Sequence, residues 1–271
     1  MKTGDLKLGF IGFGHMAQGI CRAIDRAKLI PRSQISFIRR DPAKMKKSEQ
    51  EFGVTSSTLP TLVEKSDLIF ICVRPAQLEQ VLKDLAKLKM GSQKIITIAA
   101  GVKMAYFQKH LGRIPIIRAM PNMGSSVLEG MTVLSFQQNA DAVLKEEAQA
   151  IFSCMGEVIE VPEELMDISC GLSASGPGFV FRMIEAFAKA GEAHGLPYPK
   201  ALKMAAQTFA GAARLVLKGG NPKDLIAQIA TPNGTTEAGF KVMDESKTDQ
   251  SLSSAIQAAT KRSKELSHEF F

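Results

Sequence analysis

Apolar and polar positions follow two textures along this chain, and the switch between them predicts two domains. In the first part, short runs rich in Ile, Val and Phe recur at 6–12 (LKLGFIG), 34–38 (QISFI), 67–73 (DLIFICV), 94–100 (KIITIAA) and 114–120 (IPIIRAM). Runs of this kind are typical of strands buried on both faces. Longer segments lie between them, with apolar residues at helical spacing: Leu78, Val81, Leu82 and Leu85 share one face of 76–88. Strand and helix in alternation predict an α/β fold, a parallel sheet with helices on both sides. The run MTVLSF (131–136), a helix from Asp141 and EVIEV (157–161) extend that layer.

The strand-like runs stop near Pro162. Residues 177–196 read as a long helix with Pro177 in its first turn and Gly195 at its end. Residues 199–220 read as a second, ended by Gly219 and Gly220. Helical segments at 222–230, 235–246 and 249–270 follow. Their alanines and glycines permit close helix contact, and their apolar faces exceed what so small a domain buries alone. The pattern predicts a sheet domain over 1–162 and an all-α domain over 163–271 that packs against another subunit.

Composition narrows the class. Apolar residues make up 45% and charged residues 23% of the 271 positions, a globular balance. The formal net charge is +7, with basic residues scattered among acids. The densest group, RRDPAKMKK (39–47), is short and holds no aromatic residue for base stacking. The excess reads as a mild field for anionic cofactors and substrates, with no nucleic-acid partner. Cys21, Cys72, Cys154 and Cys170 form no CxxC pair, and the histidines show no metal-ligand spacing. The expectation is buried thiols in a reducing compartment and no metal site. No apolar run reaches membrane-spanning length and no signal peptide is visible, so a soluble, cytoplasmic protein is expected.

Candidate chemistry concentrates at the first strand–helix junction, LGFIGFGHMAQGI (8–20). Gly12-x-Gly14-x-x-Ala17 has the spacing and context of a dinucleotide fingerprint. Gly12 would make the turn, Gly14 would let the backbone approach a pyrophosphate, and Ala17 would let the helix pack on the strand. The free N–H groups of the helix start would face the phosphates. The alternative is a tight turn without a ligand. The end of the second strand chooses between cofactors. An acid there binds the ribose 2′-hydroxyl of NAD, but this chain has Arg39 and Arg40, which suit a 2′-phosphate, while Asp41 comes late. NADP is expected, with NAD possible; a solvated loop is the alternative for the two arginines.

Further motifs follow in order: CVRP (72–75), IAAGV (98–102), IRAMPN (117–122), LSASGPGF (172–179), QTFAGAARL (207–215), TPNGTTEAG (231–239) and KRSKEL (261–266). With the glycine turn they resemble the pyrroline-5-carboxylate reductase family over essentially the whole chain. The resemblance implies reduction of the cyclic imine 1-pyrroline-5-carboxylate to L-proline, with hydride from NADPH or NADH, in proline biosynthesis. It implies a Rossmann-type domain followed by a helical domain that dimerises by interlocking. It also implies a substrate pocket between the nicotinamide and the helical domain, with residues from the partner chain.

Carried over by position, Ile11, Gly12, Phe13, Gly14, His15 and Met16 match the pyrophosphate turn, and Arg39 and Arg40 the adenosine 2′ position. Cys72, Val73, Arg74 and Pro75 match the loop over the ribose and nicotinamide side; Ala99, Ala100 and Gly101 match the other nicotinamide-side loop. Asn122 either orients a loop or water near the nicotinamide or makes the turn after Pro121. Gly234, Thr235 and Thr236 match the loop that receives the substrate carboxylate. Thr236 is the residue expected to hydrogen-bond substrate, and a helix cap is its other reading. Ser175, before Gly176 and Pro177, either touches substrate or only starts a helix.

The chain departs from the family pattern in places. Met123-Gly124 replaces the usual Thr-Pro, Ala174 a usual glycine, and Asn233 the first glycine of Gly-Gly-Thr-Thr. The third-strand loop lacks the asparagine that often contacts cofactor, leaving Ser57 or Thr58 to substitute. Two alternatives remain: a related imine or hydroxy-acid reductase, or a non-catalytic NADP-binding sensor. Lys189 without an asparagine at helical spacing in its helix counts against hydroxy-acid chemistry.

Overall fold

The runs LGFI and LIFI become adjacent inner strands because neither carries a polar side chain and each is buried along its whole length. The computed structural model describes residues 3–138 and 140–268. Two compact units divide the chain. Residues up to Ala174, with those from Ala259 onward, form the first, and Ser175–Ala258 form the second.

The first unit runs β1 (Leu8–Ile11), α1 (His15–Arg26), β2 (Ile35–Ile38), α2 (Pro42–Phe52), β3 (Thr55–Ser56), α3 (Leu59–Lys65), β4 (Leu68–Ile71) and α4 (Pro75–Ala86). It continues through β5 (Lys94–Thr97), α5 (Met104–Leu111), β6 (Ile116–Pro121), β7 (Gly130–Phe136), α6 (Ala142–Ser153) and β8 (Gly156–Glu160). A short helix α7 (Met166–Ser169) passes into a π-helical turn, Cys170–Ala174. The eight strands form one sheet in the order β3-β2-β1-β4-β5-β6-β7-β8. Phe10 pairs in register with Phe37 on one side and Phe70 on the other, and the rings of Phe10 and Phe70 stack at 4.7 Å. The chain leaves β1 in one direction for β2 and β3, then returns to its other side for β4. That reversal opens a crevice at the carboxyl ends of β1 and β4.

The expected parallel sheet holds through β6 and then reverses. β7 pairs antiparallel with β6, Pro121 opposite Thr132 and Ile117 opposite Phe136. Between them the chain makes only a 3-10 turn, Met123–Val127. A parallel return needs a crossover of about a dozen residues or more, so the short connection turns the strand back. β8, reached through α6, is parallel to β7.

The units divide the chain differently from a cut at 162/163. Glu163 pairs with Arg118 on β6, Met166 is buried against Met120 and Val133, and Ser263 bonds Asp167. These contacts hold 163–174 and the end of the last helix on the sheet unit. Of the four cysteines, only Cys21 is fully buried; Cys72, Cys154 and Cys170 are half-buried, and all are free thiols. Cys72 stays partly open because it follows the end of β4 at the crevice.

The second unit consists of α8 (Gly176–Ala193), α9 (Tyr198–Leu217), α10 (Pro222–Ile229), α11 (Thr235–Glu245) and the first part of α12 (Thr248–His268). α8 and α9 form a helical hairpin, with Phe187 edge-on to Phe209 at 5.1 Å and the Tyr198 hydroxyl donating to Glu185. Large apolar side chains stay outside: Phe181 is 57% exposed, Met204 58% and Leu217 70%. No helix among the described residues is long and apolar enough to cross a membrane.

Candidate functional site

The turn after β1 is held by the sheet itself. Gly12 N donates to Ile38 O at 3.1 Å, and Cys72 N donates to Ile11 O at 2.8 Å. Gly12 has φ +88°, and a Cβ there would lie 2.9 Å from both Cys72 O and Val73 Cγ1. The fold therefore requires glycine at this position. Gly14 differs. Its φ is an ordinary −87°, and a Cβ there would meet nothing within 4 Å. The space above it is clearance that no protein atom uses. Gly14 caps α1 without a side-chain bond, so the N–H groups of His15, Met16 and Ala17 have no intrahelical partner. Ala17 is fully buried beneath the helix.

A cleft of about 390 Å³ opens at this crevice. It gathers Ile11, Gly12, Phe13 and Gly14 from the first turn, Arg39 and Arg40 from the end of β2, and Cys72, Val73 and Arg74 from the end of β4. Phe13 contributes through its backbone, because its ring is packed among Phe10, Phe37 and Phe52. Pro75 follows as the first residue of α4. Burial pushes the Cys72 thiol up, which keeps it a neutral thiol.

Arg39 Nη1 donates to Ser48 Oγ at 3.0 Å, whereas Arg40 is exposed and has no protein partner among the described residues. Asp41 lines the same cleft and is also used locally. Its carboxylate caps α2 by accepting from Lys44 N at 3.1 Å, and that bond holds it below the usual carboxylate range. Sequence reasoning missed Lys44, Gln77, Gln80 and Asp84, which also line the cleft. The basic run 39–47 was a signal for Lys44. The α4 residues carry no local signal beyond lying on the polar face of an amphipathic helix. The Lys87 ammonium and the Gln80 amide hold Asp84 below the usual carboxylate range. Of the third-strand loop, Leu59 lines the cleft, while Thr58 caps α3 by accepting from Thr61 N.

Ala99, Ala100 and Gly101 follow β5, beside β4, the strand that leads into Cys72. They do not line the 390 Å³ cleft. Asn122 is occupied by backbone. Its Oδ1 accepts from Gly124 N at 3.0 Å and Met131 N at 3.2 Å, and its Nδ2 donates to Ser173 O at 3.2 Å.

The remaining expected residues lie in the helical unit. Gly234 caps α11, with Thr235 and Thr236 as its first two residues and no side-chain cap bond. A threonine cap is one expectation, and the structure shows no side-chain cap on α11; Glu237 instead reaches back into the loop before it and accepts from Asn233 N at 2.8 Å. The Thr236 hydroxyl is half-buried and has no hydrogen-bond partner among the described residues. Ser175 stands at the cap position of α8 with helical φ and ψ, and its side chain makes no cap bond.

Comparison with known proteins adds independent information. The family described as "Pyrroline-5-carboxylate reductase dimerisation" matches residues 163–266, and the one described as "NADP oxidoreductase coenzyme F420-dependent" matches 7–101. The chain is 33% identical over 267 residues to pyrroline-5-carboxylate reductase 1 of Bacillus subtilis, covering 97% of this chain and 90% of that one. It is 35% identical over 264 residues to the pyrroline-5-carboxylate reductase of Arabidopsis thaliana, covering 96% and 95%. Among solved structures, a pyrroline-5-carboxylate reductase from Coxiella burnetii superposes with a TM-score of 0.90 at 31% identity, over 97% of this chain and 98% of that one. A Plasmodium falciparum pyrroline carboxylate reductase with NADP bound superposes with a TM-score of 0.86 at 25% identity, over 97% and 99%.

Proposed function

This chain belongs to the pyrroline-5-carboxylate reductase family, and from that premise we propose that it reduces 1-pyrroline-5-carboxylate to L-proline with NADPH preferred over NADH. The observation that carries the cofactor reading is the open space above Gly14, at the start of α1, in one cleft with Arg39 and Arg40. A dinucleotide fits these residues: clearance for a pyrophosphate, unpaired N–H groups beside it, and two guanidinium groups at the end of β2. Asp41 also lines this cleft and already accepts from Lys44 N at the start of α2.

When bound, the nicotinamide supplies the hydride that the imine carbon accepts. The chain's own residues do the rest. The N–H groups of His15 and Met16 would hold the pyrophosphate oxygens, with Gly14 leaving them reachable. Arg40 and Arg39 pair with the 2′-phosphate. Val73, Arg74 and Pro75 would hold the ribose, and Ala99, Ala100 and Gly101 the nicotinamide. Asn122 holds the turn after β6 through its bonds to Gly124 N, Met131 N and Ser173 O. The start of α11 offers the N–H groups of Thr235 and Thr236 to the substrate carboxylate, with Gly234 allowing close approach. The Thr236 hydroxyl would donate a hydrogen bond to the substrate and pass a proton taken from solvent water to the ring nitrogen, which makes the carbon a better hydride acceptor. Ser175 contacts substrate from the start of α8.

The dimerisation segment 163–266 supports self-association, and the exposed Phe181, Met204 and Leu217 supply apolar surface for a homodimer. Steady-state loss of NADPH absorbance with pyrroline-5-carboxylate tests the whole reading. Absence of turnover with cofactor still bound would make the protein a sensor. Turnover confined to other cyclic imines would make it a related reductase.

A further inference from the structure

The start of α5 is capped from a distant part of the chain. Lys103 stands at the cap position and makes no side-chain cap bond. Instead Glu163 Oε1 accepts the N–H of Met104, the first residue of α5, at 2.7 Å. The same oxygen accepts from Arg118 Nη1 at 2.9 Å. The Arg118 side chain is 4% exposed in the middle of β6, so it needs a counter-charge there. An ionised carboxylate answers both needs, since it also suits the positive end of a helix.

Both tied elements lead to the nicotinamide border. The loop 99–103 runs directly into Met104, and β6 ends one residue before Asn122. The segment that begins with Glu163 fastens the same region twice more. Asp167 accepts from Ser263 Oγ at 2.7 Å on α12, the helix that packs on Gly101, and Ser173 O accepts from Asn122.

We propose that Glu163 is a positioning residue for hydride transfer: by holding the Met104 N–H and Arg118 on one oxygen, it sets the loop 99–103 against the end of β6. It acts through the loop and touches neither substrate nor cofactor. The inference rests on the reading of Ala99–Gly101 as the nicotinamide border. The adenosine cleft is built from the ends of β1, β2 and β4, which Glu163 does not touch, so the two halves of cofactor recognition separate.

The test uses the full-length protein, with kcat for imine reduction read against calorimetric binding of adenosine 2′,5′-bisphosphate. Glu163→Ala should lower kcat about tenfold or more while bisphosphate affinity stays within about twofold. Met104→Pro removes the N–H but keeps the Glu163–Arg118 pair. Proline suits the first helical position, and Lys103 already has φ −75° and ψ 152°, as a residue before proline requires. Its kcat should lie about fivefold or more below that of Met104→Ala, which loses the side chain and keeps the N–H. Equal kcat in the two Met104 variants overturns the proposal. So does a loss of bisphosphate affinity in proportion to the loss of kcat. If Glu163→Ala fails to fold, the Met104 pair decides alone. Wild-type protein that does not reduce the imine is a separate result and overturns the functional reading instead.

Discussion

Arg39 Nη1 lies 3.0 Å from the hydroxyl of Ser48, which is 2% exposed and itself donates to Lys44 O at 2.9 Å. A buried hydroxyl thus fixes one of the two guanidinium groups at the end of β2 and ties it to α2. Arg40 has no such anchor. One arginine is held in place and the other is free to close on an anion, which suits recognition of a 2′-phosphate by a pair.

Arg39→Ala and Arg40→Ala should each raise the KM for NADPH far more than that for NADH. Ser48→Ala should do the same more weakly, by roughly three- to tenfold, the scale of one hydrogen bond of about 1 kcal/mol. Steady-state kinetics with both cofactors check this. Equal changes for NADPH and NADH would remove the pair from 2′-phosphate recognition.

The two glycines of the first turn should fail differently. Gly12→Ala forces a side chain into a left-handed backbone at a cost of about 1–2 kcal/mol, before its clash with Cys72 and Val73. It should lower Tm. Gly14→Ala meets no protein atom, so Tm should stay near wild type while NADPH affinity falls about tenfold or more. Thermal melts with and without NADPH distinguish the two. A Gly14→Ala protein that binds NADPH normally would mean the clearance is not for cofactor.

Thr236→Ala should lower kcat/KM for the imine and leave NADPH affinity unchanged, because α11 carries no part of the adenosine cleft. Thr236→Ser, which keeps the hydroxyl, should restore most of the loss. Wild-type kinetics in Thr236→Ala would take the residue out of the site.

Glu49 links α2 to β3 by accepting from both Oγ and N of Ser56, and the Ser56 hydroxyl above all holds its carboxyl below the usual range. The folded state thus binds this proton less readily than the unfolded chain, whose glutamate titrates near about 4.3. Its stabilisation is complete above that value and is lost as pH falls through the lower folded one. Urea unfolding from pH 6 to pH 3 should show wild type losing more stability than Glu49→Gln. Parallel losses would show that the Ser56 bonds contribute nothing to the pH dependence.

What was legible from sequence was local. Buried runs such as LIFI, the helical spacing of Leu78, Leu82 and Leu85, and Gly12 ahead of a helix each express a constraint set within a few residues. So does the arginine pair at the end of β2. These determined the α/β layer, the glycine turn ahead of α1 and the paired positive charges at the end of β2. The polarity of β7 depended on a connection too short for a crossover. The start of α11 carries no threonine cap, and Glu237 holds the loop before it through Asn233 N. Only the tertiary structure decided that Asn122 spends its amide on Ser173, that Ser48 anchors Arg39, and that Glu163 caps a helix 59 residues away. Periodicity and backbone preference act between near neighbours. Hydrogen-bond partners far apart in the chain are chosen by packing, which brings them together only when the sheet is complete.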